Sequence, residues 1–149
     1  MGVTTVKIIR ADERHRKDIA RLIRVAKIGS LSEDESIKDM WVVKNKRKVV
    51  ACAGLDFYGP KVAIFTSLVV EKDFRHQGIG SALIEYRTRV ARERGASIIA
   101  FVTTYYHFNF YKRRGFFTCP RKYLPDNVRN HWMFTTSRYK KCAVMLKYL

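Results

Sequence analysis

The stretch Val69-Val70-Glu71-Lys72-Asp73-Phe74-Arg75-His76-Gln77-Gly78-Ile79-Gly80-Ser81 decides how this chain is read. A β-rich run ends at Val70, a polar turn follows, two glycines stand two apart, and an amphipathic pattern begins. Glycine takes positive φ without penalty and leaves no Cβ in front of the backbone, so successive N–H groups can converge on an anion. The positive end of a helix dipole adds to the same field, and Arg75 can supply a charge-assisted hydrogen bond. No Lys-Ser or Lys-Thr follows the glycines, so the Walker loop is excluded, and the dinucleotide pattern of three glycines is incomplete. What remains is R-x-x-G-x-G, an anion cradle between a strand and a helix.

The pattern on either side supplies the frame. Upstream, Val6, Ile8 and the neighbouring Val3 and Ile9 predict a first strand, and Asp12 can cap the helix that follows. Ile19, Leu22, Ile23 and Ala26 form one apolar stripe on that helix, which is expected to end between Lys27 and Ser30. Ser32 with Glu33, Asp34 and Glu35 reads as the start of a second, short helix. Trp41 to Val43, the run around Val49 to Leu55, and Lys61 to Val70 make an antiparallel meander, with turns at Lys44 to Lys48 and Tyr58-Gly59-Pro60. Downstream, Ile79 to Arg94 predicts a helix stopped by Gly95, with Arg87, Arg89, Arg92 and Arg94 on a solvated side. Ala96 to Val102 suits a central strand. Tyr105 to Arg114 predicts a helix closed by Gly115, whose Tyr105, Tyr106, Phe108 and Phe110 would pack into the core. Phe116 to Thr118 and Ala143 to Tyr148 are further strands, joined by a long basic connection from Cys119 to Lys141. The order β-α-α-β-β-β-α-β-α-β-β predicts an α+β fold, a mixed and mostly antiparallel sheet of about seven strands flanked by helices.

Composition narrows the classes. With 149 residues, 47% hydrophobic and 13% aromatic, the chain is long enough for one packed domain, taken as Met1 to Leu149, and is too apolar for a basic tail. The longest apolar runs fall far short of the ~20 residues that cross a bilayer, and Met1 to Arg10 has no apolar leader, so a cytoplasmic protein is expected. Cys52, Cys119 and Cys142 are odd in number and widely spaced, which argues against disulfides and zinc and for reduced, mostly buried thiols. The net charge of +17 is uneven: 15 basic residues stand against 10 acidic ones up to Phe74, and 15 against 3 from Arg75 onward. The second part therefore faces something anionic.

With the cradle and this order of elements, the chain resembles the GNAT superfamily of acetyl-CoA-dependent N-acetyltransferases. The family pattern [RQ]-x-x-G-x-[GA] reads here Arg75-His76-Gln77-Gly78-Ile79-Gly80, and a second family feature, an aromatic followed by x-x-x-Gly-Phe, reads Tyr111-Lys112-Arg113-Arg114-Gly115-Phe116. The resemblance implies acetyl-CoA as co-substrate and no metal. It implies that backbone groups of Leu68, Val69 and Val70 pair with the pantetheine arm, and that Arg75, His76, Gln77, Gly78, Ile79, Gly80 and Ser81 hold the pyrophosphate. It also implies that Tyr111 protonates the departing thiolate, a step suited to a phenol that stays protonated at neutral pH. Where the family often has an Asn seven residues before that tyrosine, this chain has Thr104, with Asn109 closer in. The acceptor amine must lose a proton before it attacks, since an α-amino group titrates near about 8 and a lysine near about 10.4. Some relatives carry a Glu on the fourth strand for this, but Ile64 stands at that position and Glu71 lies beyond the strand. A water relay through Thr66, Ser67 or a backbone carbonyl is the expectation. His107 reads as a surface histidine.

The acceptor is the open question. The stretch with Leu124-Pro125, Arg129, Trp132, Arg138, Tyr139, Lys140 and Lys141 is similar in outline to N-acetylglutamate synthase-type acetyltransferase domains. Basic side chains there suit a carboxylate-bearing amine such as an amino acid, and fit a polyamine or aminoglycoside poorly. Two alternatives stand beside it: a protein N-terminus, lysine or aminoacyl-tRNA as acceptor, with nucleic acid steered by the basic part, and a binding module of the same fold without catalysis. A homodimer is the default assembly.

Overall fold

The computed structural model describes residues 6–149. Its strands are β1 (Ile8–Arg10), β2 (Met40–Asn45), β3 (Lys48–Phe57), β4 (Val62–Val70), β5 (Ile98–Thr103), β6 (Phe117–Thr118) and β7 (Ala143–Tyr148). The helices are α1 (Arg16–Val25), α2 (Ile79–Glu93), α3 (Phe108–Lys112), α4 (Asp126–Arg129) and α5 (Trp132–Thr135). The strands form one sheet in the order β1-β2-β3-β4-β5-β7-β6. β4 and β5 run parallel while β1 with β2, β2 with β3, β5 with β7 and β6 with β7 run antiparallel, so the fold is the mixed α+β architecture expected. Val3 of the predicted first strand lies outside the described residues.

The chain divides into two compact units, Met1–Leu55 with Thr66–Arg87, and Asp56–Phe65 with Thr88–Leu149. In the first, Asp12 caps the turn before α1: its carboxylate accepts the Arg14 N–H at 2.9 Å, and His15 Nδ1 accepts the Asp12 N–H at 3.0 Å. The stripe Ile19, Leu22 and Ile23 is buried against Val42, Val49, Cys52 and Val69. Each such aliphatic side chain contributes about 1.5–3 kcal/mol when fully buried. Burial pushes the Cys52 thiol up to about 12, against the opposing charge of Arg87, so this sulfur is inert. All three cysteines are free, but only Cys52 is buried; Cys119 and Cys142 are half-buried.

Four expectations need correction. Ser32 to Glu35 form turns and no helix, because this short polar run has no apolar stripe to bury. Arg87 is not solvated: it is 1% exposed, with Nε donating to Leu83 O at 3.2 Å and Nη1 to Gly54 O at 2.9 Å and Thr66 O at 3.3 Å. Its spacing from Leu83 and Ile84 places it on the apolar stripe, a signal that its charge masked. In the second unit, Tyr105 and Tyr106 are 70% and 95% exposed and Phe108 and Phe110 half-buried, so this aromatic run is not core. The connection from Cys119 to Lys141, expected only as a long basic connection, holds α4, α5 and two short 3-10 turns.

Candidate active site

β4 does not run straight. Tyr58 N–H bonds Val62 O at 3.0 Å, whereas Glu71 N–H bonds Val50 O at 2.8 Å. Counted along an antiparallel pair, these two bonds differ in register by one residue, so β4 carries an extra one. It is Ser67, a non-glycine residue with φ of 53°, and its carbonyl accepts from Cys52 Sγ at 3.4 Å. Such a bulge re-aims the side chains beyond it. After it, Val69 is buried toward α1 while Leu68 and Val70 are half-buried.

Glu71 then anchors the loop. Its Oε1 meets Arg21 Nη1 and Lys48 Nζ, each at 3.1 Å, and its Oε2 is buried without a hydrogen-bond partner. Burial pushes this carboxyl up, but the two cations outweigh it and hold it below the ordinary carboxylate value. Phe74 N–H returns to Glu71 O at 2.9 Å, and Arg75 N–H to Lys72 O at 3.3 Å. The Arg75 Nε donates to Val70 O at 2.9 Å, so this arginine braces the strand end as well as facing solvent. His76 and Gly78 both have positive φ, 63° and 84°, and Gln77 Nε2 reaches Asp73 O at 3.5 Å. The sequence predicts this conformation for glycine alone, and His76 shares it.

The first bond inside α2 is Ala82 N–H to Gly78 O at 3.0 Å. The N–H groups of Gly78, Ile79 and Gly80 therefore precede the helix ladder, as at any helix start. A Cβ added at Gly78 would meet nothing within 4 Å, so its outer face is open to a ligand. Ile79 is buried, Gly80 and Ser81 half-buried, and His76 and Gln77 exposed. An open glycine, a left-handed His76 two residues before it and a helix start fit a pyrophosphate.

In the second unit the parallel ladder pairs Val62 with Ile98, Ala63 with Ile99 and Ile64 with Ala100. Just beyond, Phe65 and Phe101 stack with ring centroids 5.6 Å apart, and Tyr111 sets its ring edge against Phe101 at 4.6 Å. The motif around Tyr111 has a physical cause. Gly115 turns the chain with φ of 89°, its N–H bonds Lys112 O at 3.1 Å, and Phe116 N–H bonds Tyr111 O at 3.2 Å. This is a Schellman closure, and it brings the Phe116 ring to 5.9 Å from Tyr111. Tyr111 is buried and its orientation fixed by packing. Thr104 is exposed at the start of the 3-10 turn, its carbonyl accepting from His107 N–H at 3.1 Å, and Asn109 is exposed on α3.

One feature of this unit was not foreseen. His131 is 2% exposed, its Nδ1 accepts the Met133 N–H at 3.1 Å, and its Nε2 lies 2.9 Å from Asp56 Oδ2. Arg121 was also missed: its guanidinium donates to the carbonyls of Phe134, Cys142 and Tyr139 and knits the connection before β7. Arg129 is committed as well, to Leu124 O at 3.0 Å and Asp126 at 3.2 Å, which leaves Lys122, Arg138, Lys140 and Lys141 as the other exposed cations of the predicted acceptor segment Pro120 to Lys141. Among the described residues no helix is long and apolar enough to cross a membrane, and no cluster of His, Cys, Asp or Glu could hold a metal.

Comparison with known proteins bears on both units. A family model for the acetyltransferase (GNAT) domain matches residues 36–117. An uncharacterized N-acetyltransferase of Chlorobaculum tepidum is 34% identical over 109 residues, 73% of this chain and 67% of that protein. Among solved structures, N-acetylglutamate synthase from Neisseria gonorrhoeae, complexed with coenzyme A and N-acetyl-glutamate, matches 98% of this chain with a TM-score of 0.80 at 21% identity. The chain spans 35% of that synthase. The ribosomal-protein-S18-alanine N-acetyltransferase of Escherichia coli matches 97% of this chain and 94% of its own with a TM-score of 0.72 at 17% identity.

Proposed function

The chain belongs to the GNAT acetyltransferase family, and from that premise we propose that it acetylates the primary amine of a small anionic acceptor such as an amino acid. It is an acyltransferase that uses CoA. Acetyl-CoA supplies the acyl group as an activated thioester. On this reading Arg75, His76, Gln77, Gly78, Ile79, Gly80 and Ser81 hold the pyrophosphate, and the backbone of Leu68, Val69 and Val70 follows the pantetheine. Thr104 and Asn109 flank it more loosely, since both are exposed. Tyr111 holds the proton that the thiolate sulfur takes. The amine attacks directly with both substrates bound, and on this reading a backbone N–H of the strand around Leu68 to Val70 receives the developing negative charge, an effect worth about 2.7–4 kcal/mol per donor.

The observation that carries the proposal is the helix start at Gly78, open in front and lined by unladdered N–H groups. The acceptor class is supported by the scarcity of carboxylates after Phe74 and by the likeness to a synthase solved with N-acetyl-glutamate. Fold likeness alone does not choose it, because the alanine N-acetyltransferase of ribosomal protein S18 shares the architecture. The test is acetyl-CoA-dependent release of thiol over a panel of free amino acids, peptides and polyamines. Tyr111→Phe is expected to lower kcat by about 10²–10⁴-fold while leaving acetyl-CoA affinity in place. Turnover of peptides but not amino acids would move the assignment to a protein N-terminus or lysine, and no turnover with any amine would leave a binding module.

A second reading has its own observation. Tyr105, Tyr106, Tyr123 and Trp132 are 70%, 95%, 68% and 56% exposed, and Lys122 Nζ lies 5.0 Å from the Tyr123 ring. Exposed rings among cations are what stacking on unpaired bases requires. An aminoacyl-tRNA acceptor is the form this takes for an acetyltransferase. Affinity for tRNA that falls steeply with salt would favour it.

A further inference from the structure

We propose that Asp56 is the carboxylate that takes the proton of the acceptor amine, and that His131 is the positioning residue that holds it for the task. The inference rests on the acetyl-transfer reading above and names the base that reading lacks.

Placement comes first. The bond from Tyr58 N–H to Val62 O closes the β3–β4 hairpin and sets Asp56 opposite Ile64. Residues directly opposite on antiparallel strands share a face. Ile64 is also the last β4 residue paired with β5, through Ala100, so Asp56 stands at the level where the parallel ladder ends. The next residue on each strand, Phe65 and Phe101, points to the other face, and there Phe101 carries the Tyr111 ring. Proton donor and proton acceptor thus flank one point of the sheet from opposite sides.

His131 defines the state of the carboxylate. Because Nδ1 accepts the Met133 N–H, it carries a lone pair, the imidazole is neutral, and its proton sits on Nε2, donated to Asp56 Oδ2 at 2.9 Å. Tyr58 stands edge-on at 5.1 Å and Phe134 at 5.9 Å, so the ring cannot swing away. The Asp56 side chain is 53% exposed and within reach of an incoming ammonium. The other carboxylates of this unit are Glu93, which faces Arg89 at 4.0 Å, and Asp126, which faces Arg129 at 3.2 Å. Asp56 differs from both in having a neutral partner, so its negative charge is not cancelled and remains available to a cationic amine.

The proton balance closes. The acceptor arrives as an ammonium and passes one proton to Asp56 and then to water. Its lone pair forms the nitrogen–carbon bond as the carbon–sulfur bond breaks. Tyr111 gives its proton to sulfur, and the second amine proton restores the phenol. One proton is released for each amide made.

The experiment compares wild type, Asp56→Asn, Asp56→Glu and Asp56→Ala, the last with and without added formate. Calorimetry with acetyl-CoA and thermal melting run beside thiol release. If the wild type binds acetyl-CoA and releases no thiol with any amine, the acetyl-transfer reading fails and takes this one with it. Given wild-type turnover, Asp56→Asn is expected to lose about 100-fold or more in kcat, with acetyl-CoA affinity within about twofold, and formate to restore part of the Asp56→Ala loss. Asp56→Glu should recover part of the rate. A kcat for Asp56→Asn within about threefold of wild type overturns the proposal. So does a loss that follows the melting temperature and ignores formate, which is what a purely structural carboxylate would show. Imidazole nitrogen NMR of the wild type gives a readout independent of turnover: a proton on Nε2 alone is expected, and a proton on Nδ1 overturns the role given to His131.

Discussion

The loop from Glu71 to Ser81 and the segment between β6 and β7 are both irregular, both exposed in part, and ordered by opposite means. In the loop, Phe74 bonds Glu71, Arg75 bonds Lys72 and Ala82 bonds Gly78, all within one or two turns of chain. In the segment, Arg121 reaches Phe134, Tyr139 and Cys142, and His131 reaches Asp56 across 75 residues. Beyond its anchor at Glu71, which reaches Arg21 and Lys48, the first is a local conformation set by a helix start and a glycine. The second exists because a few buried or half-buried side chains reach carbonyls and a carboxylate far along the chain.

That contrast can be broken at the segment first. Arg121→Met removes the donor shared by three carbonyls, and hydrogen bonds to charged groups are worth about 1.5–3 kcal/mol each without adding fully, so a loss of about 3 kcal/mol is expected by chemical denaturation. A loss under about 1 kcal/mol would mean that α4 and α5 hold themselves, and the distinction would fall. In the loop, Gly78→Ala should act on ligand more than on fold. The added Cβ meets nothing in the free chain, so the left-handed φ of 84° sets a stability cost of about 1 kcal/mol. Acetyl-CoA affinity, measured by calorimetry, should drop about tenfold or more because the methyl group occupies the face where the pyrophosphate would lie. Unchanged affinity would take the cradle away from this glycine.

The smallest effect concerns the loop's anchor. Glu71 is held below its ordinary value of 4.5 by Lys48 and Arg21, so its stabilising contribution is present above that value and fades as the pH falls through the lowered one. Melting curves across the acid range should show wild type losing stability there more steeply than Glu71→Gln. Parallel curves would mean that the ion pairs with Arg21 and Lys48 do not couple to folding.

How much was legible follows from the same physics. The pattern Tyr111-x-x-x-Gly115-Phe116 was readable because it is one Schellman closure, written in consecutive residues. The stripe of α1 and the cap at Asp12 were readable for the same reason. Ser67 was not, because a bulge is a mismatch between two strands and leaves no mark on either one alone. Arg87 was misread because charge suggested water where helical spacing pointed inward, and Tyr105 and Tyr106 because aromatic character suggested a core that no neighbour supplied.

By itself the sequence determined the mixed α+β class with its strands, the glycine turn between β4 and α2, the Gly115-Phe116 closure after Tyr111 and the excess of positive charge. Each is set by short-range spacing, turn chemistry or simple counting. Only the tertiary structure decided which charges are spent inside the protein and which face a ligand. Arg87 and Arg121 are consumed on carbonyls, Glu71 on two cations, and Asp56 is left with a neutral histidine and an open side. Those choices depend on partners tens of residues away, and burial rather than residue type determines what a charged group can do.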